Sequence, residues 1–154
     1  MDTLKIEPAR ATDPDVAAVI AAHFALMRAS SPEESCHVMP ADQLDREGAV
    51  LLAARNDGNV LGIGALKEFA PGCGELKSMH TIAAARGRGV AKAILLGLID
   101  TARANGLTSL SLETGSDPIF APARRLYESQ GFIECDPFDA YQQDPLSVFM
   151  TKDL

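Results

Sequence analysis

The sequence predicts an α/β fold built on a mixed sheet, and three observations lead there. Two β-compatible runs flank Asp57-Gly58, a dipeptide able to take the positive φ angles of a tight hairpin turn. A strand, a glycine-rich turn, a helix and another strand then follow in order between residues 74 and 114, which is a βαβ unit and calls for a parallel pair. The chain of 154 residues, 47% hydrophobic and 23% charged, is apolar enough for a sizeable core and short enough for one domain over residues 1–154.

Leu4 and Ile6, with Pro8 behind them, predict a short first strand. Asp13-Pro14 supplies an N-cap and a proline tolerated in the first helical turn, so a helix starts near Pro14. Val16, Val19, Ile20, His23, Phe24 and Met27 recur at three- and four-residue steps as its apolar stripe. The polar "RASSPEES" reads as a loop, and Pro40 to Glu47 as a short second helix. The hairpin occupies "VLLAARNDGNVLGIGALKEF". In "GELKSMHTI", residues 74 to 82, strict alternation puts Glu75, Lys77, Met79 and Thr81 on one face and Leu76, Ser78, His80 and Ile82 on the other. Val90, Ala93, Ile94, Gly97, Leu98, Thr101 and Ala102 form a helical stripe that Leu95, Leu96 and Ile99 widen, and Gly106 ends that helix. "LTSLSLET" alternates as the next strand. Pro122 opens a last helix with Ala123, Leu126 and Tyr127 that stops at Gly131, and Phe132-Ile133 and Val148-Phe149-Met150 make the closing strands.

A net charge of -7 opposes a nucleic-acid partner, because that association relies on Lys and Arg neutralising many phosphates. No apolar run reaches the roughly 18 residues of a membrane span. The start, Met1-Asp2-Thr3-Leu4-Lys5, has neither a basic n-region nor an apolar h-region. A soluble protein of a bacterial-type cytoplasm is expected, without nucleic-acid or membrane partners. Cys36, Cys73 and Cys135 are odd in number, widely spaced and unaccompanied by Cys-x-x-Cys or His-x-x-x-His, so neither a disulfide framework nor a metal site is expected.

"RGRGVAKAILLGLID", residues 86 to 100, places two glycines and three cations ahead of the long helix. A helix N-terminus offers unpaired amides and a partial positive charge, and glycines let a bound anion approach the backbone, so this turn suits phosphate. A P-loop is excluded by spacing and by the missing hydroxyl, and a dinucleotide fingerprint fits poorly because Lys92 stands where its third glycine belongs. "RGRGVA" resembles the Arg/Gln-x-x-Gly-x-Gly/Ala signature of the GNAT superfamily of acyl-CoA-dependent N-acetyltransferases at Arg86, Gly89 and Ala91. "ARRLYESQGF" is similar to that family's closing Ala-x-x-Leu-Tyr-x-x-x-Gly-Phe motif, and "GELKSM", "SLETGS", "PARRLYESQGF" and "SVFMTK" resemble a YsnE-like group of bacterial acetyltransferases.

The resemblance implies the GNAT fold, a mixed central sheet of about six to seven strands flanked by about four helices. It implies acetyl-CoA as co-substrate and transfer of an acetyl group to an amine of a small molecule or a peptide terminus. It assigns Arg86, Gly87, Arg88, Gly89, Val90 and Ala91, with the charge of Lys92, to the coenzyme A pyrophosphate, and Met79, His80 and Thr81 to the strand beside its pantetheine arm. Tyr127 falls on the frequent general acid, which fits a phenol's capacity to protonate a departing thiolate. Where the family often has Asn, three residues before the motif alanine, this chain has Phe120.

The acceptor amine must lose a proton, so a base is needed. Glu75 matches a region where members often carry it, Glu113 is a second candidate, and His37 and His80 remain alternatives. Lys77, with Lys67 on the neighbouring strand and His37 in the loop after the first helix, would favour an acceptor with a carboxylate as well as an amine, such as an amino acid. The competing reading is a non-catalytic acyl-CoA-binding module serving as a sensor or assembly partner. Monomer and homodimer both remain open.

Overall fold

The protein is described by a computed structural model over residues 4–30 and 48–154. The expected short helix over 40–47 and the loop carrying Cys36 and His37 lie outside these residues. Seven strands are present: β1 (Lys5–Pro8), β2 (Val50–Asn56), β3 (Asn59–Ala70), β4 (Cys73–Thr81), β5 (Ser109–Gly115), β6 (Ile133–Cys135) and β7 (Ser147–Asp153). They form one sheet in the order β1-β2-β3-β4-β5-β7-β6, antiparallel throughout except for the β4–β5 pair. Three α-helices, α1 (Pro14–Ser30), α2 (Val90–Ala104) and α3 (Ala121–Ser129), are found among the described residues, against about four expected.

The β2–β3 hairpin turns at Asp57-Gly58 with φ of 51° and 80°, the pair of left-handed residues that a two-residue turn requires. Pro71-Gly72, with Gly72 at φ 78°, turns β3 into β4. Alternation along β2 then divides the core. Leu52 and Ala54 pack with Val90, Ile94, Leu95 and Leu98 of α2, while Leu51 and Ala53 pack with Val16, Val19 and Ile20 of α1. Tyr127 of α3 and the following Phe132 join the α2 side.

β4 departs from the expected alternation. Lys77 stands opposite Ala65 and His80 opposite Ile63, so Ser78 and Met79 together face Gly64, which is a β-bulge. Ser78 takes φ 55°, a left-handed conformation uncommon for a residue with a side chain. The extra residue moves Met79 from the face of Glu75 to the face of α2, where a Cβ on Gly64 would meet the Met79 Sδ, Ile94 and Leu98. It also turns His80 to the α1 side, against His23. Gly62 serves the same packing, since a Cβ there would meet Val90 and Ile94. The two glycines of "LGIG" thus let the start of α2 lie close against β3.

Candidate active site

The parallel ladder between β4 and β5 runs only from Cys73–Ser109 to Leu76–Leu112, although β4 continues to Thr81 and β5 to Gly115. The strands part beyond Leu76, and the backbone of β4 there faces a gap. Two cavities meet at it.

The larger, of about 560 Å³, is lined by Met79, His80 and Thr81 of β4, by Arg86, Gly87, Gly89, Val90, Ala91 and Lys92 around the start of α2, and by Ile119, Pro122 and Leu126 around α3. Gly89 caps α2 at φ 78° with no side-chain hydrogen bond, so the first-turn amides have no intrahelical or side-chain acceptor. A Cβ built on Gly87 or Gly89 meets no atom within 4 Å. The turn is therefore a cradle open to a ligand at the positive end of the helix dipole, with two cations in its wall, and this donor set fits a pyrophosphate. Arg88 is exposed and stands outside the lining.

The smaller cavity, of about 130 Å³, lies on the other side of the gap and is lined by Glu75, Lys77, Ser78, Glu113 and Tyr141. His23, Met27, Met79, Phe120, Ala123 and Tyr127 line both cavities and mark their junction. Tyr127 is buried, its ring edge-on to Phe132 at 5.8 Å between centroids. Burial pushes its phenol well above the ordinary 10, so it keeps its proton at neutral pH and has one to donate.

Glu75 is 3% exposed and receives two contacts on the same oxygen. The Tyr141 hydroxyl donates to Oε2 at 2.5 Å and the Lys77 Nζ lies 3.3 Å from it. Lys77 also donates to the Tyr141 hydroxyl at 3.1 Å. Burial raises the Glu75 carboxyl above its usual 4.5, against the opposing pull of Lys77 and the Tyr141 hydrogen bond, which makes it a stronger base than an exposed glutamate. Glu113 accepts a hydrogen bond from the Ser147 hydroxyl at 2.8 Å.

Phe120 packs where the family motif often has a polar side chain: a Cβ on Gly115 would overlap its ring, and the Arg124 guanidinium donates to the carbonyls of Gly115 and Asp117 around it. The structure thus places Glu75, Lys77 and Glu113 in the wall of the small cavity, the residues of the turn other than Arg88 in the wall of the large one, and Tyr127 where the two meet. His37 lies outside the described residues. Several lining residues escaped the reading of the sequence, among them His23, Tyr141 and Ser78. His23 looked like one more member of an apolar stripe. Tyr141 lies in the loop "DPFDAYQQDP", whose two aromatics among prolines and aspartates were its signal. Ser78 is buried with no hydrogen-bond partner for its hydroxyl.

The sequence model of the acetyltransferase (GNAT) family matches residues 19–132. The chain is 43% identical over 143 residues to YsnE, an uncharacterized N-acetyltransferase of Bacillus subtilis, covering 93% of this chain and 95% of the relative. A Klebsiella pneumoniae structure described as an acyl-CoA N-acyltransferase superposes with a TM-score of 0.82 at 31% identity, over 99% of this chain and 98% of that one. The structure of YncA from Salmonella typhimurium with its cofactor acetyl-CoA matches with a TM-score of 0.73 at 20% identity, over 97% and 93% of the two chains.

Proposed function

Because the chain belongs to the acetyltransferase (GNAT) family, we propose that it transfers an acetyl group from acetyl-CoA, by direct attack, to an amine of a small molecule or a peptide terminus. The observation that carries this reading is the meeting of the two cavities at Tyr127 and Met79, in the gap between β4 and β5. When bound, acetyl-CoA supplies an acyl group activated as a thioester. The amides at the start of α2, with Arg86 and Lys92, hold its pyrophosphate, and β4 at Met79, His80 and Thr81 runs beside its pantetheine arm.

The small cavity receives the acceptor. Glu75 takes the ammonium proton through Oε1, the oxygen that neither Tyr141 nor Lys77 engages, directly or through one water. The Met79 amide, which has no partner on β5, donates to the acyl oxygen as negative charge builds there. Tyr127 protonates the leaving sulfur, and its apolar surroundings keep the proton in place until then. Lys77, the cation in the cavity wall, supports an amino-acid-like acceptor within the small-molecule class.

Thiol release from acetyl-CoA, measured across amino acids, polyamines, aminoglycosides and peptides, tests the proposal. Amine-dependent release with an acetylated product of matching mass is the expected result. Binding of acetyl-CoA with no release across the whole panel would overturn it in favour of a binding module.

A further inference from the structure

Tyr141 has no part in the roles assigned above, yet its position is built with care. It lies in the connection 136–146 between β6 and β7, longer than the two to five residues most hairpins use. That segment folds over the sheet because its aromatics have a platform: Phe138 lies tilted against Phe69 at 5.2 Å and edge-on to Phe149 at 5.9 Å, and Tyr141 stands 5.2 Å from Phe138 and 5.7 Å from Phe149. The Tyr141 amide donates to the Phe138 carbonyl at 3.1 Å, closing a turn that fixes where the ring enters the cavity. The chain has only two tyrosines, and both line the small cavity.

We propose that Tyr141 is a positioning residue for the acetyl transfer, its hydroxyl holding the Glu75 carboxylate in place and in its basic form beside the acceptor. The inference rests on the reading of Glu75 as the base. A carboxylate as buried as Glu75 tends to pick up a proton and stop accepting another. The Tyr141 hydrogen bond opposes that, because a phenol donates to the anion more strongly than to the neutral acid. Engagement of Oε2 alone also fixes the rotamer and leaves Oε1 as the oxygen that acts. Among the described residues, the charged groups around Glu75 come from four places: Lys77 lies on the same strand β4, Lys67 directly across on β3, Glu113 on β5 in the same cavity wall, and Asp139 in the segment that carries Tyr141. His23 of α1 lines the same cavity. Among these, Asp139 pushes Glu75 toward its neutral form while Lys77 and Tyr141 hold it charged.

The test compares Tyr141→Phe, Glu75→Gln and Phe138→Leu with the unaltered protein. The pH profile of kcat/KM is measured with acetyl-CoA and the amine that releases most thiol in the panel. In parallel, the Glu75 carboxyl is titrated by NMR in protein labelled with 13C at glutamate carboxyls, its resonance assigned by its loss in Glu75→Gln. Tyr141→Phe keeps the ring and its packing. It should move both the acid limb and the Glu75 titration about one unit to higher pH, with activity on the high-pH plateau within a few-fold of the original. Phe138→Leu loosens the platform that seats Tyr141 and should move both in the same direction by a smaller amount. If Glu75→Gln removes the acid limb but Tyr141→Phe leaves the limb and the titration in place, the inference fails and the base assignment stands. If Glu75→Gln keeps both turnover and limb, the base assignment fails and takes this inference with it.

Discussion

The Nδ1 atoms of His23 on α1 and His80 on β4 lie 3.2 Å apart, with the rings edge to face at 5.1 Å between centroids. At that distance one nitrogen donates and the other accepts, so the contact needs at least one neutral imidazole and two imidazoliums would repel. Burial, and to a lesser extent the neighbouring His80, holds His23 down at about 4 from the usual 6.5. His80 is lowered too, by burial and by Arg86.

A pH dependence of stability follows from this pair. Between pH 6.5 and 4 the unfolded chain takes up a proton at His23 that the folded protein refuses. The stabilisation is therefore fully present above pH 6.5 and is lost as the pH falls toward 4, by about 3 kcal/mol from this residue. Urea unfolding of the protein and of His23→Gln at pH 7 and pH 4 measures it. The original should lose about 3 kcal/mol more than the variant on acidification. Asp15, whose carboxyl is held below its usual value by Arg55, affects both proteins alike. Equal losses would show that His23 is not the group responsible.

The glycine turn gives a second prediction. Gly89 at φ 78° and Gly58 at φ 80° both have open space where a side chain would project, so valine at either strains the backbone by roughly 1–2 kcal/mol without a clash inside the protein. Only Gly89 sits in the proposed pyrophosphate cradle. Calorimetry should find acetyl-CoA affinity reduced about tenfold or more in Gly89→Val and unchanged in Gly58→Val, with similar losses of thermal stability in both. Equal affinities in the two variants would remove the turn from the cofactor site.

For Tyr127, phenylalanine removes the hydroxyl and keeps the edge-on contact with Phe132. Loss of the proton donor should lower kcat by about 10²-fold or more and leave acetyl-CoA affinity unchanged. Steady-state kinetics with the best amine of the panel decides it. Turnover within a factor of a few of the original would assign the leaving-group proton elsewhere.

Gly64 offers a test of the packing that seats α2. An alanine there drives its Cβ into the Met79 Sδ, Ile94 and Leu98, and such overpacking destabilises by about 1–3 kcal/mol. Denaturant unfolding should show that loss, together with weaker acetyl-CoA binding as Met79 is displaced from the cavity junction. An unaltered midpoint would mean that α2 sits back from the sheet at no cost.

What the sequence disclosed and what it withheld divides along the range of the interaction. The hairpin at Asp57-Gly58, the turn at Gly89 and the helix carrying Tyr127 are written in local chemistry, in residues that demand a given φ or terminate a periodic stripe. The bulge at Ser78 is not, because an alternating pattern of two holds no mark of the residue at which it slips. Met79 and His80 consequently changed faces between expectation and structure. Lys77 reads as a cation for an acceptor carboxylate, and nothing local marks that its ammonium also engages Glu75 beside it and a hydroxyl 64 residues further along. His23 and His80 stand 57 residues apart in the chain and meet only through the packing of α1 on β4.

The parting of β4 and β5 makes this sheet two half-sheets, β1-β2-β3-β4 and β5-β7-β6, sewn together along a seam from Cys73–Ser109 to Leu76–Leu112. Edge strands ordinarily lie at the rim of a sheet, where another chain can add to them. Here an edge lies in the interior of the sheet, between two cavities, away from its rim. Both cavities border that one opening, so its width bears on the two of them together.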